Sequence, residues 1–402
     1  MHLFCYAACH HIIRKEESCE SRYTSSQLSQ INVFPIKSIA GLSQSQAWVE
    51  KQGICFDRRF MIASPAGKMI TARKYPQLVN VTASIVPHGL IVTAPDCAPL
   101  SLSYAEFSMT AAPATVWGDS FSAHHTTDAA DAWFSAIIGE PVQLLFTGEQ
   151  SQRVRPKIQQ NVSFADGYPL LVISEASLAE LNARSPMTHT MAQFRTNLVV
   201  SGTTPFAEDS WKRIRIGEVE FENIKPCARC ILTTVDPKTG TFNPQQEPLQ
   251  TLLTFRADDN GDVYFGQNLV ALNEGMIRTG DTVEVLEYQT PPHYPERTPS
   301  QDASSDQADT ASAPASHKTV TITIDDEQFT GDNQSSLLEQ AEAAGLALAH
   351  RCRAGICGAC KITLASGSVD QPPARALRDE EREAGTVLAC CCVPQTDVVL
   401  HR

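Results

Sequence analysis

The chain has 402 residues, of which 19% are charged and 42% hydrophobic, and its formal net charge at pH 7 is −13. This length predicts two or three globular domains. The acidic balance argues against nucleic acid or an anionic membrane as the main partner, because both need a basic surface, and no apolar run is long enough to predict a membrane span.

Residues 1–28 are predicted to be a disordered extension without a specific role. They contain Cys5, Cys9, His10 and His11, which could form a metal cluster, but a disordered tail is the favoured interpretation. The basic-then-apolar order of a secretory signal is missing. The thirteen cysteines are odd in number and clustered, unlike a disulfide scaffold, so we expect a reducing compartment, the cytoplasm.

Residues 29–122 are predicted to form a small, mainly β domain. Short β-type runs such as INVFPI, RRFMIA, LVNVTASI and GLIVTA are divided by Gly, Pro and Asp. Because no long segment with helical periodicity lies between them, strands are favoured throughout.

Residues 123–290 are predicted to form a second domain in which strands dominate but helices also occur. One helix is expected from Asp128 to Ile138, ended by Gly139. Another is expected near Ser177, where Ser177 and Glu180 can form a capping box. The runs NLVVSG, RIRIG, VEFEN, ILTTV, DVYFG and TVEVLEY predict strands. The apolar stripe of the first helix is predicted to contain Ala129, Ala132, Trp133, Ala136 and Ile137.

Residues 291–317 are rich in Pro, Ser, Ala and Asp and predict a flexible linker. Beyond it, residues 318–402 predict a β-grasp domain. VTITI alternates as a strand does, and a helix should follow a capping box formed by Ser336 and Glu339.

Four cysteines in the C-terminal domain predict an iron–sulfur site. Cys352, Cys357 and Cys360 stand at x4 and x2 spacings, and Cys390 follows about thirty residues on. Four such thiolates can enclose a [2Fe–2S] core. A structural zinc site would usually have two CxxC pairs.

The stretch RCRAGICGAC strongly resembles plant-type and bacterial ferredoxin domains, and the resemblance covers residues 318–402. In that family the last ligand closes an L-x-C stretch. The resemblance therefore implies Cys390 as the ligand and leaves Cys391 and Cys392 as packing residues.

A second pair, Cys227 and Cys230, lies in KPCARCILTTVDPKTG. By itself a CxxC pair is half a zinc site, a redox dithiol or two structural cysteines. The intervening Arg229 favours a thiolate, since an adjacent guanidinium stabilises the negative sulfur.

The K-P-C-x-R-C-I-x-T-T-V block, FGQN at 265–268 and RxGD at 278–281 resemble the MOSC (molybdenum-cofactor sulfurase C-terminal) proteins. The order of modules closely resembles the bacterial YcbX type, which is related to the mitochondrial amidoxime-reducing component. The resemblance implies a mainly β fold with α+β elements: a MOSC N-terminal β-barrel, a MOSC β-barrel domain, a linker and a ferredoxin domain.

The resemblance also implies a molybdopterin-type molybdenum cofactor. By position in the block, Cys230 would be the metal ligand, and Cys227 would be structural or would support the residues that bind the cofactor. Lys37, Ser38 and Arg58 match positions that hold the pterin and its phosphate. Further cofactor contacts are implied at Asp166, Tyr168, Arg195, Asn197, Ala228 and Arg229.

The activity that the resemblance implies is two-electron reduction of small N-hydroxylated compounds, such as hydroxylaminopurines, hydroxylaminopyrimidines and amidoximes. A separate flavoprotein reductase is expected to supply the electrons, because no GxGxxG dinucleotide fingerprint is present. We expect a monomer. Two alternatives are a cofactor or sulfur carrier and a ferredoxin adaptor without its own catalysis.

Overall fold

The computed structural model describes residues 25–259, 261–297, 318–350, 355, 358–372, 374 and 376–402. In these residues strands predominate over helices, which confirms the mainly β prediction. No helix within the described residues is long and apolar enough to cross a membrane. The described residues do not include Cys5, Cys9, His10 and His11, the predicted cluster ligands Cys352 and Cys357, or residues 298–317 of the expected linker.

Short antiparallel strands build the N-terminal third. One sheet has the order β5-β11-β10-β9, and another has the order β6-β7-β8. Phe60, Phe134 and Leu144 lie in the buried cluster between them. The strands are β1 (Gln27–Val33), β2 (Leu42–Gln44), β3 (Gln46–Glu50), β4 (Gly53–Ile54), β5 (Phe60–Ala63), β6 (Thr82–Val86), β7 (Gly89–Thr93), β8 (Leu100–Ser103), β9 (Ala111–Val116), β10 (Asp119–His125) and β11 (Gln143–Phe146); the helix is α1 (Asp128–Ile138).

Helix α1 has the predicted bounds, and Gly139 ends it in the left-handed conformation with φ 82°. Its predicted apolar stripe is confirmed at Trp133 and Ile137, which are partly buried against the apolar cluster, and wrong at the three alanines, which are exposed. The fully buried line runs through Ala130, Phe134 and Ile138, which pack on the same cluster as β11. Alanines at both edges of the stripe made the sequence ambiguous about which side of the helix is buried, and packing on the sheet selects the side with Phe134.

The middle of the chain continues the fold with one large sheet in the order β2-β1-β15-β14-β20-β17-β16-β22. A bridge between Gln27 and Thr282 brings strands from its two sides together. Its elements are β12 (Val154–Arg155), β13 (Gln160–Asn161), β14 (Leu170–Ser174), α2 (Glu175–Arg184), α3 (Met191–Phe194), β15 (Leu198–Ser201), β16 (Trp211–Ile216), β17 (Val219–Ala228), β18 (Val235–Asp236), β19 (Thr241–Phe242), α4 (Leu249–Phe255), β20 (Tyr264–Ala271), β21 (Gly275–Arg278) and β22 (Val283–Tyr288).

The two front domains share structure across the boundaries expected from the sequence. Strand β1 pairs antiparallel with β15 of the second domain, and β21 pairs with β3 of the first. Strand β10 runs through the boundary expected after residue 122. Residues on the early strands can therefore contribute directly to a site built on the second domain.

Two local predictions in the second domain are wrong. Helix α2 is capped by Ser174, whose hydroxyl accepts from the Ser177 backbone N–H at 3.1 Å. Ser177 caps nothing because its hydroxyl donates to buried Glu208. The ILTTV run begins with a 3-10 helix at Ile231–Thr234, since Thr233 and Thr234 donate to backbone carbonyls three residues earlier.

The described start of the expected linker, residues 291–297, lies against the second domain. The Tyr294 ring lies 4.3 Å from the Arg256 guanidinium carbon, and the Arg297 backbone N–H donates to Thr254 at 2.7 Å. Composition alone did not indicate this packing, because it depends on one aromatic ring and one backbone N–H in a polar segment.

The C-terminal domain has the expected β-grasp order. Its sheet runs β24-β23-β29-β25-β27, with β23 parallel to β29, and α5 packs into its core. Ser336 and Glu339 form the predicted capping box, which is confirmed. The elements are β23 (Thr319–Ile324), β24 (Glu327–Asp332), α5 (Leu337–Ala343), β25 (Lys361–Ser366), β26 (Val369–Asp370), α6 (Asp379–Glu383), β27 (Thr386–Leu388), β28 (Val393–Pro394) and β29 (Val398–His401).

Candidate functional site

Cys230 lies in the turn between β17 and the 3-10 helix Ile231–Thr234. Its carbonyl accepts from the Thr233 backbone N–H at 3.0 Å and from the Thr233 hydroxyl at 2.9 Å, which fixes the turn. The Cys230 Sγ is half-buried and accepts a hydrogen bond from Arg73 Nε at 3.4 Å. A guanidinium in this position stabilises a thiolate, the form of sulfur that binds metals.

Cys227 has a different environment. Its Sγ accepts from Arg229 Nη1 at 3.0 Å, and its side chain packs against the apolar cluster that contains Phe194 and Phe265. Arg229 also donates to the Phe194 carbonyl at 2.8 Å. Cys227 is thus part of the packing that positions Arg229, whereas Cys230 contacts Arg73.

Asp166 joins Lys37 to Arg73. Lys37 Nζ donates to Asp166 Oδ1 at 2.6 Å, and Arg73 Nη2 lies 3.8 Å from Asp166 Oδ2. Burial lowers the pKa of Lys37 to about 8, although Asp166 opposes that change. Desolvation works against ionisation of Asp166, but the charges of Lys37 and Arg73 hold its pKa well below the ordinary value. A chain of charged groups therefore leads from Lys37 to Cys230.

Arg58 and Arg195 share one aromatic ring. Their guanidinium carbons lie 4.5 Å and 4.4 Å from the centroid of Phe34. Gly41 leaves room for this ring, since a Cβ at position 41 would lie 2.5 Å from it. Burial and the neighbouring charge of Arg58 lower the pKa of Arg195. Two cations gathered around one ring favour a bound anion nearby.

A buried amide fixes the position of Arg58. Asn197 Oδ1 accepts from Arg58 Nη1 at 3.0 Å, and its amide nitrogen donates to Asp57 Oδ1 at 3.1 Å. Asp57 Oδ2 also lies 2.6 Å from Arg58 Nη1. The structure thus brings Arg58, Arg195 and Asn197, three of the predicted cofactor-binding residues, close together. Asn197 contributes by holding the Arg58 guanidinium in place.

The other predicted residues surround this group less directly. Ser38 follows Lys37 and is buried, with a φ of 75°. Tyr168 is half-buried, and Lys225 Nζ lies 5.6 Å from its ring centroid. Ala228 is exposed at the end of β17, opposite Tyr264.

Sequence reasoning missed Arg73, Trp117 and Phe34. Trp117 Nε1 donates to Asp166 at 3.2 Å, and its ring lies 4.5 Å from the Arg73 guanidinium carbon. In sequence Arg73 is one of several basic residues in a polar turn. Its pairing with Cys230 spans 157 positions, which no local pattern indicates.

The donor groups fit a bound anion beside a soft metal. Arg195 Nη2 and Arg229 Nε are buried and have no hydrogen-bond partner within the described part of the chain. Buried donors normally have partners, so these atoms are suited to an additional acceptor. A pterin phosphate can supply that acceptor, and the half-buried Cys230 thiol is a suitable ligand for a metal such as molybdenum.

The described part of the iron–sulfur site brings two predicted ligands together. The Sγ atoms of Cys360 and Cys390 lie 3.1 Å apart, and the Gly355 backbone N–H donates to Cys390 at 3.3 Å. Cys392 is fully buried in the apolar core, and burial raises the pKa of its thiol. Cys391 accepts from the Gln371 amide at 3.4 Å. Cys360 and Cys390 are thus placed as two thiolates of one iron would be.

Three protein families match successive parts of the chain. Residues 25–141 match the MOSC N-terminal beta barrel domain, residues 159–284 the MOSC domain, and residues 320–395 the 2Fe-2S iron-sulfur cluster binding domain. The last range contains Cys352, Cys357, Cys360 and Cys390.

Curated relatives match 64% of this chain over 82% of their own length. Mitochondrial amidoxime-reducing component 1 of Mus musculus is 34% identical over 285 residues, which cover 64% of this chain and 82% of the relative. The human protein is 32% identical with the same coverage. Among solved structures, the ferredoxin reductase of carbazole 1,9a-dioxygenase is 32% identical over 21% of this chain and 29% of its own, with a TM-score of 0.21.

Proposed function

The chain belongs to the family of the mitochondrial amidoxime-reducing components, and from this premise we propose that it is a molybdenum-cofactor-dependent reductase of N-hydroxylated compounds. The observation that carries the proposal is the Cys230 thiol held by Arg73 beside Lys37, Arg58 and Arg195. A [2Fe–2S] domain in the same chain adds an electron donor.

Different residues of the chain would bind different parts of the cofactor. Arg58 and Arg195 would bind the phosphate, with Phe34 and Asn197 fixing their orientation. Lys37 would add a further positive charge, and Cys230 would bind the metal. When bound, the molybdenum cofactor supplies two-electron chemistry at the oxygen of the substrate.

The net reaction consumes two electrons and two protons. The N–O bond of the hydroxylated nitrogen breaks, the nitrogen takes up one proton to give the amine or amidine, and the oxygen leaves with the second proton as water. Amidoximes, hydroxylaminopurines and hydroxylaminopyrimidines share this bond. The proposed source of electrons is a flavoprotein reductase acting through the [2Fe–2S] domain; that partner, the monomeric state and the cytoplasmic location remain predictions.

The test is turnover of benzamidoxime with reduced methyl viologen as an artificial donor. We expect stoichiometric benzamidine, detected by chromatography, and oxidation of two viologen molecules per product. A protein that contains molybdenum and a reducible cluster but forms no amine with any N-hydroxylated substrate would instead be a carrier. A protein with the cluster alone would be an electron-transfer adaptor.

Arg195→Gln should reduce molybdenum content without changing iron content. The variant removes a charged donor whose Nη2 has no partner among the described residues. Charged hydrogen bonds contribute about 1.5–3 kcal/mol, so cofactor affinity should fall about ten- to hundredfold. Arg213→Gln is the matched control, because Arg213 is exposed on β16 and lies 3.9 Å from Glu220. Equal molybdenum content in both variants, by mass spectrometry of the metals, would remove Arg195 from the proposed site.

A further inference from the structure

The ferredoxin domain contacts residues 68–75 of the N-terminal domain, and beside them Gln334 Nε2 donates to Glu140 at 3.5 Å. Lys68 Nζ pairs with the Asp332 carboxylate, and Lys74 Nζ donates to the Asn333 carbonyl at 3.4 Å and to the Gln334 side chain. The Tyr75 hydroxyl donates to Gln334 Oε1 at 3.2 Å. The contact therefore joins basic residues of one domain to an acidic, polar loop of the other.

The loop at 332–334 is tied to the segment that carries a cluster ligand. It leads directly into α5, whose first turn donates backbone hydrogen bonds back to that segment. The Leu338 N–H donates to the Ala389 carbonyl at 2.7 Å, and the Leu337 N–H to the Cys392 carbonyl at 2.9 Å. Cys390 lies between these two acceptors, so the contact surface and the cluster segment form one connected unit.

On the other side, the same basic segment reaches the candidate molybdenum ligand. Arg73 lies next to Lys74, and its Nε donates to Cys230 Sγ at 3.4 Å. The charge of Glu339 in α5 also acts on the Arg73 guanidinium. Residues 68–75 thus contact Cys230, the candidate molybdenum ligand, on one side and the ferredoxin loop 332–334 on the other.

We propose that residues 68–75 are the docking surface for the protein's own ferredoxin domain and that electrons pass between the centres in this docked arrangement. The electron-transfer step rests on the proposed function, whereas docking itself does not. Each docking event oxidises the reduced cluster by one electron. Two such events, with two protons, reduce one N–O bond to amine and water, and the external flavoprotein reductase reduces the cluster again.

Charge complementarity makes this docking reversible. Lys68, Arg73 and Lys74 face Asp332 and Glu339, and in the Lys68–Asp332 pair the Lys68 side chain is 37% exposed while that of Asp332 is 10% exposed. Salt screens an ion pair that is open to solvent on one side, so the domain can leave the surface to meet its reductase.

Carbodiimide cross-linking tests the contact without requiring activity. At low ionic strength we expect a Lys68–Asp332 cross-link in the digested full-length protein. It should disappear in about 1 M salt, where the screening length is about 3 Å. The Lys361–Glu381 pair, 2.7 Å apart within the ferredoxin domain, is the internal control. Recovery of only the control cross-link at low salt would overturn the proposal.

A double-mutant cycle tests the role in electron transfer. Lys68→Gln and Asp332→Asn should each slow reoxidation of the reduced cluster by benzamidoxime about threefold in low salt. Asparagine keeps the oxygen that accepts from Gln334 and Ser335, so the loop should stay folded. The double variant should be no slower than either single variant, because both remove the same contact. Lys157→Gln, on an exposed turn, is the control.

The outcomes separate docking from the proposed function. Independent, additive effects in the cycle would overturn the docking surface even if benzamidoxime is reduced. A salt-sensitive Lys68–Asp332 cross-link in a protein that reduces no N-hydroxylated substrate would support docking and reject the function.

Discussion

Cys230→Ser is expected to remove molybdenum from the purified protein and to abolish benzamidoxime reduction. A serine hydroxyl is a poor substitute for a thiolate at a soft metal site, and it would also lose the charged contact with Arg73. We expect activity to fall at least about a thousandfold, which corresponds to about 4 kcal/mol. The iron–sulfur absorbance should be unchanged, because Cys230 and the cluster ligands belong to different domains.

Cys227→Ser is the matched control for this prediction. Cys227 lies two residues before Arg229 and contacts it at 3.0 Å, so its loss should disturb the site only through the position of Arg229. Most of the molybdenum should remain. If Cys227→Ser loses the metal and Cys230→Ser keeps it, the ligand assignment is wrong.

Cys390→Ser is expected to lose or severely destabilise the [2Fe–2S] cluster. The variant would leave one iron with a single thiolate, since Cys360 and Cys390 are placed as a pair with Sγ atoms 3.1 Å apart. The visible absorbance of the purified protein and its iron content should both fall by most of their value. Molybdenum content should be retained, because the candidate molybdenum site is in the front domains.

The neighbouring cysteines are the controls. Cys391→Ser removes a sulfur that accepts from Gln371, and Cys392→Ala shortens a side chain in the apolar core. Both variants should keep the visible spectrum, and Cys392→Ala should lower the free energy of unfolding of the domain. If Cys390→Ser keeps the visible absorbance of the cluster and Cys391→Ser loses it, Cys391 and not Cys390 is the fourth ligand.

Local patterns in the sequence predicted elements well where a local signal was decisive. The bounds of α1 and the capping box of α5 are confirmed, because both depend on residues within one or two turns. The predicted apolar stripe of α1 was wrong at its alanines, and the predicted capping residue of α2 was wrong. Each was decided by a distant partner: the cluster around Phe134 in one case, and Glu208, which binds Ser177, in the other.

In the candidate site, too, local sequence indicated some features and distant contacts decided the others. The Cys227–Cys230 block and the scattered residues Lys37, Arg58 and Arg195 could be named from resemblance, yet their proximity is a property of the fold. Pairing of β1 with β15 is what places the early basic residues beside the later ones. Arg73 had no motif of its own, and only its contacts with Cys230 and Asp166 identify it.

Metal analysis of the purified full-length protein tests the central claim most directly. The account predicts about one molybdenum and two irons per chain, with the molybdenum released together with a pterin when the protein is denatured. Cys230→Ser should retain the two irons alone. A wild-type protein that contains two irons but no molybdenum or pterin, after expression in a host able to make the cofactor, would contradict the account.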